Sequence, residues 1–186
     1  RKVNIGVPDI ENIVAKLARI PSRQVTSDDK SLLKNLEQDL VGFTEPAAAI
    51  TNMDLVISVD TAVVHLAGAL GKPVWTLLQF NPDWRWMLDR NDSPWYSSMK
   101  LFRQEKRQDW QSVIERVTSD LRILVLLSEG VSAYQAGNIE DADTAFRQVL
   151  KLDANHADAN HLLGLIARQV GNNKVAIDLI SKAILA

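Results

Sequence analysis

The last third of the chain repeats itself at a spacing of 34 residues, and this feature constrains its fold more than any other. Glycines and apolar residues keep one register: Gly130 aligns with Gly164, Gly137 with Gly171, Ala142 with Ala176, Phe146 with Ile180 and Val149 with Ala183. The stretch is rich in alanine and leucine and contains no proline, a composition that favours uninterrupted helices. The sequence therefore predicts two copies of one helical unit.

A period of 34 residues is that of the tetratricopeptide repeat (TPR), a helix-turn-helix unit in which small residues allow close helix packing. The predicted turns are Gly137-Asn138 and Gly171-Asn172. The domain at 122–186 then holds just under two repeats, at about 123–156 and 157–186. Because about three repeats are usually needed for a stable array, we expect it to continue beyond Ala186 or to pack on the preceding domain.

Residues 1–121 have a different composition, since all five tryptophans and all six prolines precede residue 111. Such a composition is typical of mixed α/β structure with irregular loops. Helical spacing of apolar residues predicts short helices at Ile10–Ile20, Ser31–Leu40 and Ala47–Asn52. The composition changes near residue 122, where we place the domain boundary.

A strand, a helix and a second strand follow one another in the middle of this first domain. Leu55–Val59 is almost continuously apolar and β-branched, which is typical of a strand buried on both faces of a parallel sheet. Val74–Leu78 is a second such strand, and the helix between them is stopped by Gly71. The result is a predicted βαβ unit with a parallel sheet, followed by the all-α hairpins.

The overall charge and composition exclude several classes of protein. A formal net charge of −2 and a pI near 5.9 provide no general basic field for nucleic acid. The chain has no cysteine, and its N-terminal residues lack the apolar segment of a signal peptide. No apolar run reaches the roughly 18 residues of a membrane span. We expect a cytoplasmic protein without a transmembrane segment.

Asp60 and Thr61 follow the first predicted strand and open the helix, with Asp60 or Thr61 expected to cap its first amides. The carboxyl end of a parallel strand that leads into a helix N-terminus commonly binds anions. His65 lies four residues after Thr61, hence on the same helical face. A diphosphate is the predicted ligand; alternatively, Asp60 is only an N-cap and His65 a half-buried structural histidine.

The segment Asp54–Trp75 resembles the C-terminal domain of family 9, heptosyltransferase-like glycosyltransferases, in particular a bacterial branch that combines it with TPR repeats. The resemblance continues through Asp83–Trp86, Asp89-Arg90, Ser93–Tyr96 and Leu101–Gln104, and weakly covers Ser22–Gln24. It implies the donor-binding, Rossmann-like half of a GT-B fold. The family motif Asp-Thr-x-x-x-His, which contacts the donor nucleotide-sugar, corresponds to Asp60, Thr61 and His65.

The resemblance also implies a reaction: metal-independent, inverting transfer of a sugar from a nucleoside diphosphate sugar, with no further cofactor. The acceptor domain and the catalytic base would lie outside this sequence, so no catalytic residue is assigned and turnover is not expected of these residues alone. The expected substrate-binding residues are Asp60, Thr61, His65, Ser58, Ala62, Arg85 and Gln24.

For the other candidate residues, a structural role is an alternative to a role in binding. We interpret Trp84 and Trp86 as a hydrophobic plug, while Arg85 either contacts a phosphate or pairs with Asp83 or Asp89. Four basic residues are interpreted as solvated surface, namely Lys100, Arg103, Lys106 and Arg107. His156 and His161 are five apart, which does not place two metal ligands on one helical face. A rival function is a TPR scaffold that binds a protein or peptide and carries a degenerate glycosyltransferase-like domain.

Overall fold

The computed structural model describes residues 42–186. The predicted helices Ile10–Ile20 and Ser31–Leu40 and the candidate donor-binding residue Gln24 lie outside the described residues. The chain forms two compact units, one that ends at Val117 and one from Thr118 to Ala186.

The first unit contains a three-stranded parallel sheet. Its elements are α1 (Thr44–Thr51), β1 (Val56–Val59), α2 (Ala62–Ala69), β2 (Val74–Leu78), a 3-10 turn (Trp84–Trp86) and β3 (Met99–Arg103). The strand order is β1-β2-β3. The predicted βαβ unit is therefore confirmed, and the sheet is consistent with part of a Rossmann-like domain. β3 was not among the predicted strands.

The two predicted strands differ in burial. All five residues of β2 are buried, as their apolar run predicts. In β1 only Val56 is buried, and Val59 is 48% exposed. The prediction that β1 is buried on both faces is wrong, since exposure increases along the strand from Val56 to Val59; within residues 42–186, β1 pairs with β2 alone.

One hydrophobic core fixes the elements of this unit to each other. It joins α1, α2, all three strands and the 3-10 turn through Ile50, Val56, Val64, Ala67, Val74, Leu78, Trp86, Met99 and Leu101. Trp86 is fully buried although it comes from the long connection between β2 and β3. That connection is therefore anchored to the same core as α2.

Four helices complete the chain: α3 (Trp110–Gln135), α4 (Ile139–Leu152), α5 (Ala157–Gln169) and α6 (Asn173–Leu185). The division between the two units falls within α3. No helix in the described part of the chain is long and apolar enough to cross a membrane.

The 34-residue correspondence is present in the structure of the second unit. Gly137 and Gly171 both have φ of +80° in the turns that precede α4 and α6. Phe146 packs on Gly130, and Ile180 packs on Gly164 in the same way. The two halves therefore contain the same kind of turn and the same kind of close helix contact. Their identity as TPR repeats stays a prediction.

Candidate functional site

The predicted corner lies where β1 ends and α2 begins. Thr61 is the N-cap residue of α2, in extended conformation with φ −145° and ψ 170°, but its side chain makes no capping hydrogen bond. Its hydroxyl instead lies 3.4 Å from the Ser58 hydroxyl. The prediction that Thr61 or Asp60 caps the helix is wrong, because other partners engage both side chains. Within the described residues no side chain caps the Ala62 and Val63 amides of α2, while the Val64 amide donates to the Thr61 carbonyl at 3.2 Å.

Asp60 is held by a tryptophan from the connection between β2 and β3. The Trp86 Nε1–H donates to Asp60 Oδ2 at 2.8 Å. The other carboxylate oxygen, Oδ1, lies 3.8 Å from His65 Nε2. The side chains of His65 and Asp60 are 31% and 35% exposed, so both remain accessible to a ligand.

His65 is confined by two aromatic rings. Its imidazole stacks on Trp86, with ring centroids 5.1 Å apart and an interplanar angle of 24°. The Tyr96 hydroxyl lies 3.3 Å from Nδ1, and the Tyr96 ring meets the imidazole edge-on. The interpretation of His65 as half-buried is therefore correct, but the ring keeps its Nε2 edge toward Asp60 and the corner.

The tryptophans of the 3-10 turn have different roles. Trp86 is fully buried, which confirms the plug for this residue, whereas Trp84 is 73% exposed and the plug is wrong for it. A 3-10 helix has three residues per turn, so the side chains of Trp84 and Trp86 point in different directions. Only Trp86 faces the core. The hydrophobic character of the two residues is equal, so the sequence did not distinguish them.

Arg85 lies beside Trp86 on the same turn. Its Nε is 3.3 Å from Asp83 Oδ1, and its backbone N–H donates to that oxygen at 3.0 Å. Trp95 Nε1–H donates to the Arg85 carbonyl at 2.8 Å. The predicted pairing with Asp83 is thus present, and a phosphate contact stays a prediction.

Sequence reasoning missed the part that Arg103 plays. Its guanidinium donates to the carbonyl oxygens of Trp86 and of Arg90, the latter at 2.9 Å. Burial lowers the pKa of this guanidinium, while the nearby Asp89 carboxylate opposes that shift. Its interpretation as solvated surface is therefore wrong. Side chains alternate between the two faces of β3, and this places Arg103 on the same face as the buried Met99 and Leu101. That spacing is the feature of the sequence that indicates a partly buried Arg103.

The structure brings Ser58, Asp60, Thr61, Ala62 and His65 together at one corner.

His156 accepts a hydrogen bond from the Ala159 amide at 3.4 Å and so caps α5. Within residues 42–186, no group of three or more histidine, aspartate or glutamate side chains could hold a metal ion.

Comparison with known proteins adds a family for the part that carries this corner. Residues 39–118 match the family model of glycosyltransferase family 9 (heptosyltransferase). The chain is 36% identical over 76 residues to Protein FlbA of Caulobacter vibrioides, covering 41% of this chain and 12% of that protein. It is 50% identical over 40 residues to the ClpA homolog protein of Fuscovulum blasticum, covering 22% of this chain and 5% of that protein.

The matched region thus spans only a small part of the curated relatives' own length. No solved structure matches the chain. The resemblance expected for the first domain is supported, since the family 9 model matches residues 39–118, which include the Asp60-Thr61 corner.

Proposed function

We propose that this corner binds the diphosphate of a nucleoside diphosphate sugar, as the donor-binding part of a metal-independent, inverting glycosyltransferase. One observation carries the proposal: the N-terminus of α2 is uncapped at the carboxyl end of a parallel strand, with His65 one turn further along. Free amides and the helix dipole both favour an anion at such a point. The family match over residues 39–118 supports a nucleotide-sugar as that anion.

The reaction requires stabilisation of the leaving group. The bond between the anomeric carbon and the diphosphate oxygen breaks as the acceptor oxygen bonds to that carbon, so negative charge grows on the diphosphate. The amides of Ala62 and Val63, the Thr61 hydroxyl and His65 are the donors that would stabilise it. Preorganised donors of this kind contribute about 2.7–4 kcal/mol each at other oxyanion sites.

Asp60 suits a different part of the donor. A carboxylate and a phosphate repel each other at short range, so Asp60 is unsuited to bind the diphosphate itself. Its carboxylate only accepts hydrogen bonds, and it keeps one oxygen, Oδ1, that Trp86 does not use. We assign Asp60 to a hydroxyl of the ribose or of the transferred sugar.

The test is a thermal-shift series with UDP, GDP and ADP in the presence of a chelator. At least one of them should raise the melting temperature, since a ligand at 100 times its Kd stabilises a protein by about 2.7 kcal/mol. His65→Ala should remove most of that shift, whereas His161→Ala, at an exposed position in α5, should keep it. If no diphosphate stabilises the wild-type chain, the proposal is wrong.

A second candidate function concerns the helical unit, as a TPR surface that binds a protein segment. The observation in its favour is a groove between α3 and α4, lined by Leu126, Glu129, Ala133, Asp141, Thr144, Ala145 and Gln148. Its two charged residues, Glu129 and Asp141, are both acidic, so a lysine-rich peptide fits it best. Such a peptide should bind, and Glu129→Gln with Asp141→Asn should weaken it; peptide binding without any nucleotide binding would favour the scaffold with a degenerate domain.

A further inference from the structure

The connection between β2 and β3 supplies two residues that control the corner without belonging to its sequence motif. We propose that Trp86 and Tyr96 are positioning residues: Trp86 keeps the Asp60 carboxylate away from the α2 amides, and Tyr96 sets His65 as a hydrogen-bond donor toward the corner. The inference rests on the proposed function for its ligand, but its structural part applies to the free protein.

The Asp60 carboxylate is bound by Trp86 and not by the amides of α2. An aspartate carboxylate that accepts from the first amides of a helix occupies the position that a phosphate needs, and Asp60 directly precedes the N-cap residue Thr61. Here the Trp86 Nε1–H donates to Asp60 Oδ2 at 2.8 Å, and the Thr61 side chain does not cap the helix either. Trp86 itself is fully buried, and its carbonyl accepts from Arg103. The buried Trp86 therefore fixes the Asp60 carboxylate by a hydrogen bond, and the Ala62 and Val63 amides stay available to a ligand.

The two neighbours of the His65 ring nitrogens bear on which nitrogen carries the proton. A neutral imidazole carries one N–H and one acceptor nitrogen. Nε2 faces the Asp60 carboxylate at 3.8 Å, which can only accept, whereas Nδ1 faces the Tyr96 hydroxyl at 3.3 Å, which can donate. The Asp60 carboxylate favours the form with hydrogen on Nε2, and the Tyr96 hydroxyl stabilises that form when it donates to Nδ1. His65 then presents a donor to a ligand oxygen at the corner.

Two aromatic rings fix the orientation of the His65 imidazole. The imidazole is stacked on Trp86 and touched at its edge by Tyr96, so rotation that would exchange Nδ1 and Nε2 is restricted. Tyr96 reaches this position over Gly68, where an added Cβ would lie 2.6 Å from Tyr96 Cγ. The glycine thus permits the contact that orients the histidine.

The experiment separates hydrogen bonding from packing by Tyr96→Phe and Trp86→Phe. Matched controls are Tyr134→Phe in α3 and Trp84→Phe, an exposed residue on the same turn as Trp86. ¹⁵N chemical shifts of the His65 ring report the tautomer in the free protein. Affinity for the nucleoside diphosphate that stabilises the wild type reports the site.

We expect Tyr96→Phe to convert His65 from the Nε2–H form to a tautomer mixture, with little change in melting temperature. Each of the two substitutions should weaken nucleotide binding about three- to tenfold, as expected for one lost hydrogen bond. Both controls should bind as the wild type does. For Trp86→Phe, the amide shifts of Ala62 and Val63 should also move toward those of a capped helix.

Two results would overturn the inference: an unchanged His65 tautomer in Tyr96→Phe, or unchanged nucleotide affinity in both variants. If Trp86→Phe does not fold, Tyr96→Phe still decides the tautomer. If the wild type binds no nucleotide while the tautomer changes as expected, the proposed function fails and the positioning of His65 stands.

Discussion

Tyr96 packs directly on the bare Cα of Gly68, so that a Cβ at this position would lie 2.6 Å from Tyr96 Cγ. This contact connects the buried face of α2 to the ring that touches His65. A change at Gly68, which is itself buried, therefore acts on the corner through packing.

We predict that Gly68→Ala destabilises the protein by about 1–3 kcal/mol, the usual cost of an overpacked site. It should also weaken nucleotide binding, because Tyr96 must move away from His65. Chemical denaturation and a binding titration measure the two effects. In a Tyr96→Ala background the added methyl has room, so Gly68→Ala should then cost little; an equal cost in both backgrounds would contradict the contact.

In the helical unit we predict equal sensitivity at the two equivalent glycines. A Cβ at Gly130 would lie 2.5 Å from Phe146 Cε1, and one at Gly164 would lie 2.6 Å from Ile180 Cγ1. Gly130→Ala and Gly164→Ala should each cost about 1–3 kcal/mol in thermal or chemical unfolding. Phe146→Leu should relieve much of the first cost, and a neutral Gly130→Ala would argue against the close packing of the repeated unit.

A substitution at Arg103 tests whether its hydrogen bonds stabilise the connection between β2 and β3. Its forked guanidinium reaches two carbonyl oxygens, those of Trp86 and Arg90. Arg103→Lys keeps the charge but cannot serve both acceptors with the same geometry. We expect a loss of about 1–3 kcal/mol in unfolding free energy, together with weaker nucleotide binding, because Trp86 is released. Lys106→Arg, at an exposed position nearby, should change neither quantity.

A pH effect is expected at the ion pair of Arg90 with Asp92. The Arg90 guanidinium donates to both carboxylate oxygens, at 2.7 and 2.6 Å, and so holds the pKa of Asp92 below its ordinary value. A lowered pKa in the folded state stabilises the protein above the unfolded pKa of about 3.9, and this is lost as the pH falls through the lowered value.

The melting temperature of Asp92→Asn should therefore fall below that of the wild type at neutral pH and converge with it in strong acid. The difference should be small and should shrink in high salt, because the pair is exposed. A difference that persists unchanged at low pH would assign it to some cause other than the carboxylate charge.

The sequence predicted the parts of the fold that depend on local pattern. The apolar run of β2, the left-handed stop at Gly71 and the two turn glycines each require particular residue types, and all lie where predicted. β3 was missed because Lys100 and Arg103 interrupt its apolar character. The burial of β1 was overestimated, since a strand's neighbours are set by the whole sheet rather than by its own residues.

The candidate corner was found from Asp60, Thr61 and His65, but its internal contacts were not. Trp86 and Tyr96 lie 26 and 31 residues from their polar partners Asp60 and His65. No local pattern encodes a hydrogen bond over such a separation. The sequence also predicted a side-chain cap on α2, whereas the Asp60 carboxylate accepts from the distant Trp86 and the Thr61 hydroxyl lies against its near neighbour Ser58.

A ¹H–¹⁵N NMR titration of the chain with a nucleoside diphosphate, in the presence of a chelator, shows whether the N-terminus of α2 binds the diphosphate. We predict saturable shifts of the Thr61, Ala62 and Val63 amides at the N-terminus of α2, together with shifts of the His65 ring nitrogens, and loss of the amide shifts in His65→Ala. Saturable binding that leaves these amides unmoved, or no binding of UDP, GDP or ADP at millimolar concentration, would contradict it.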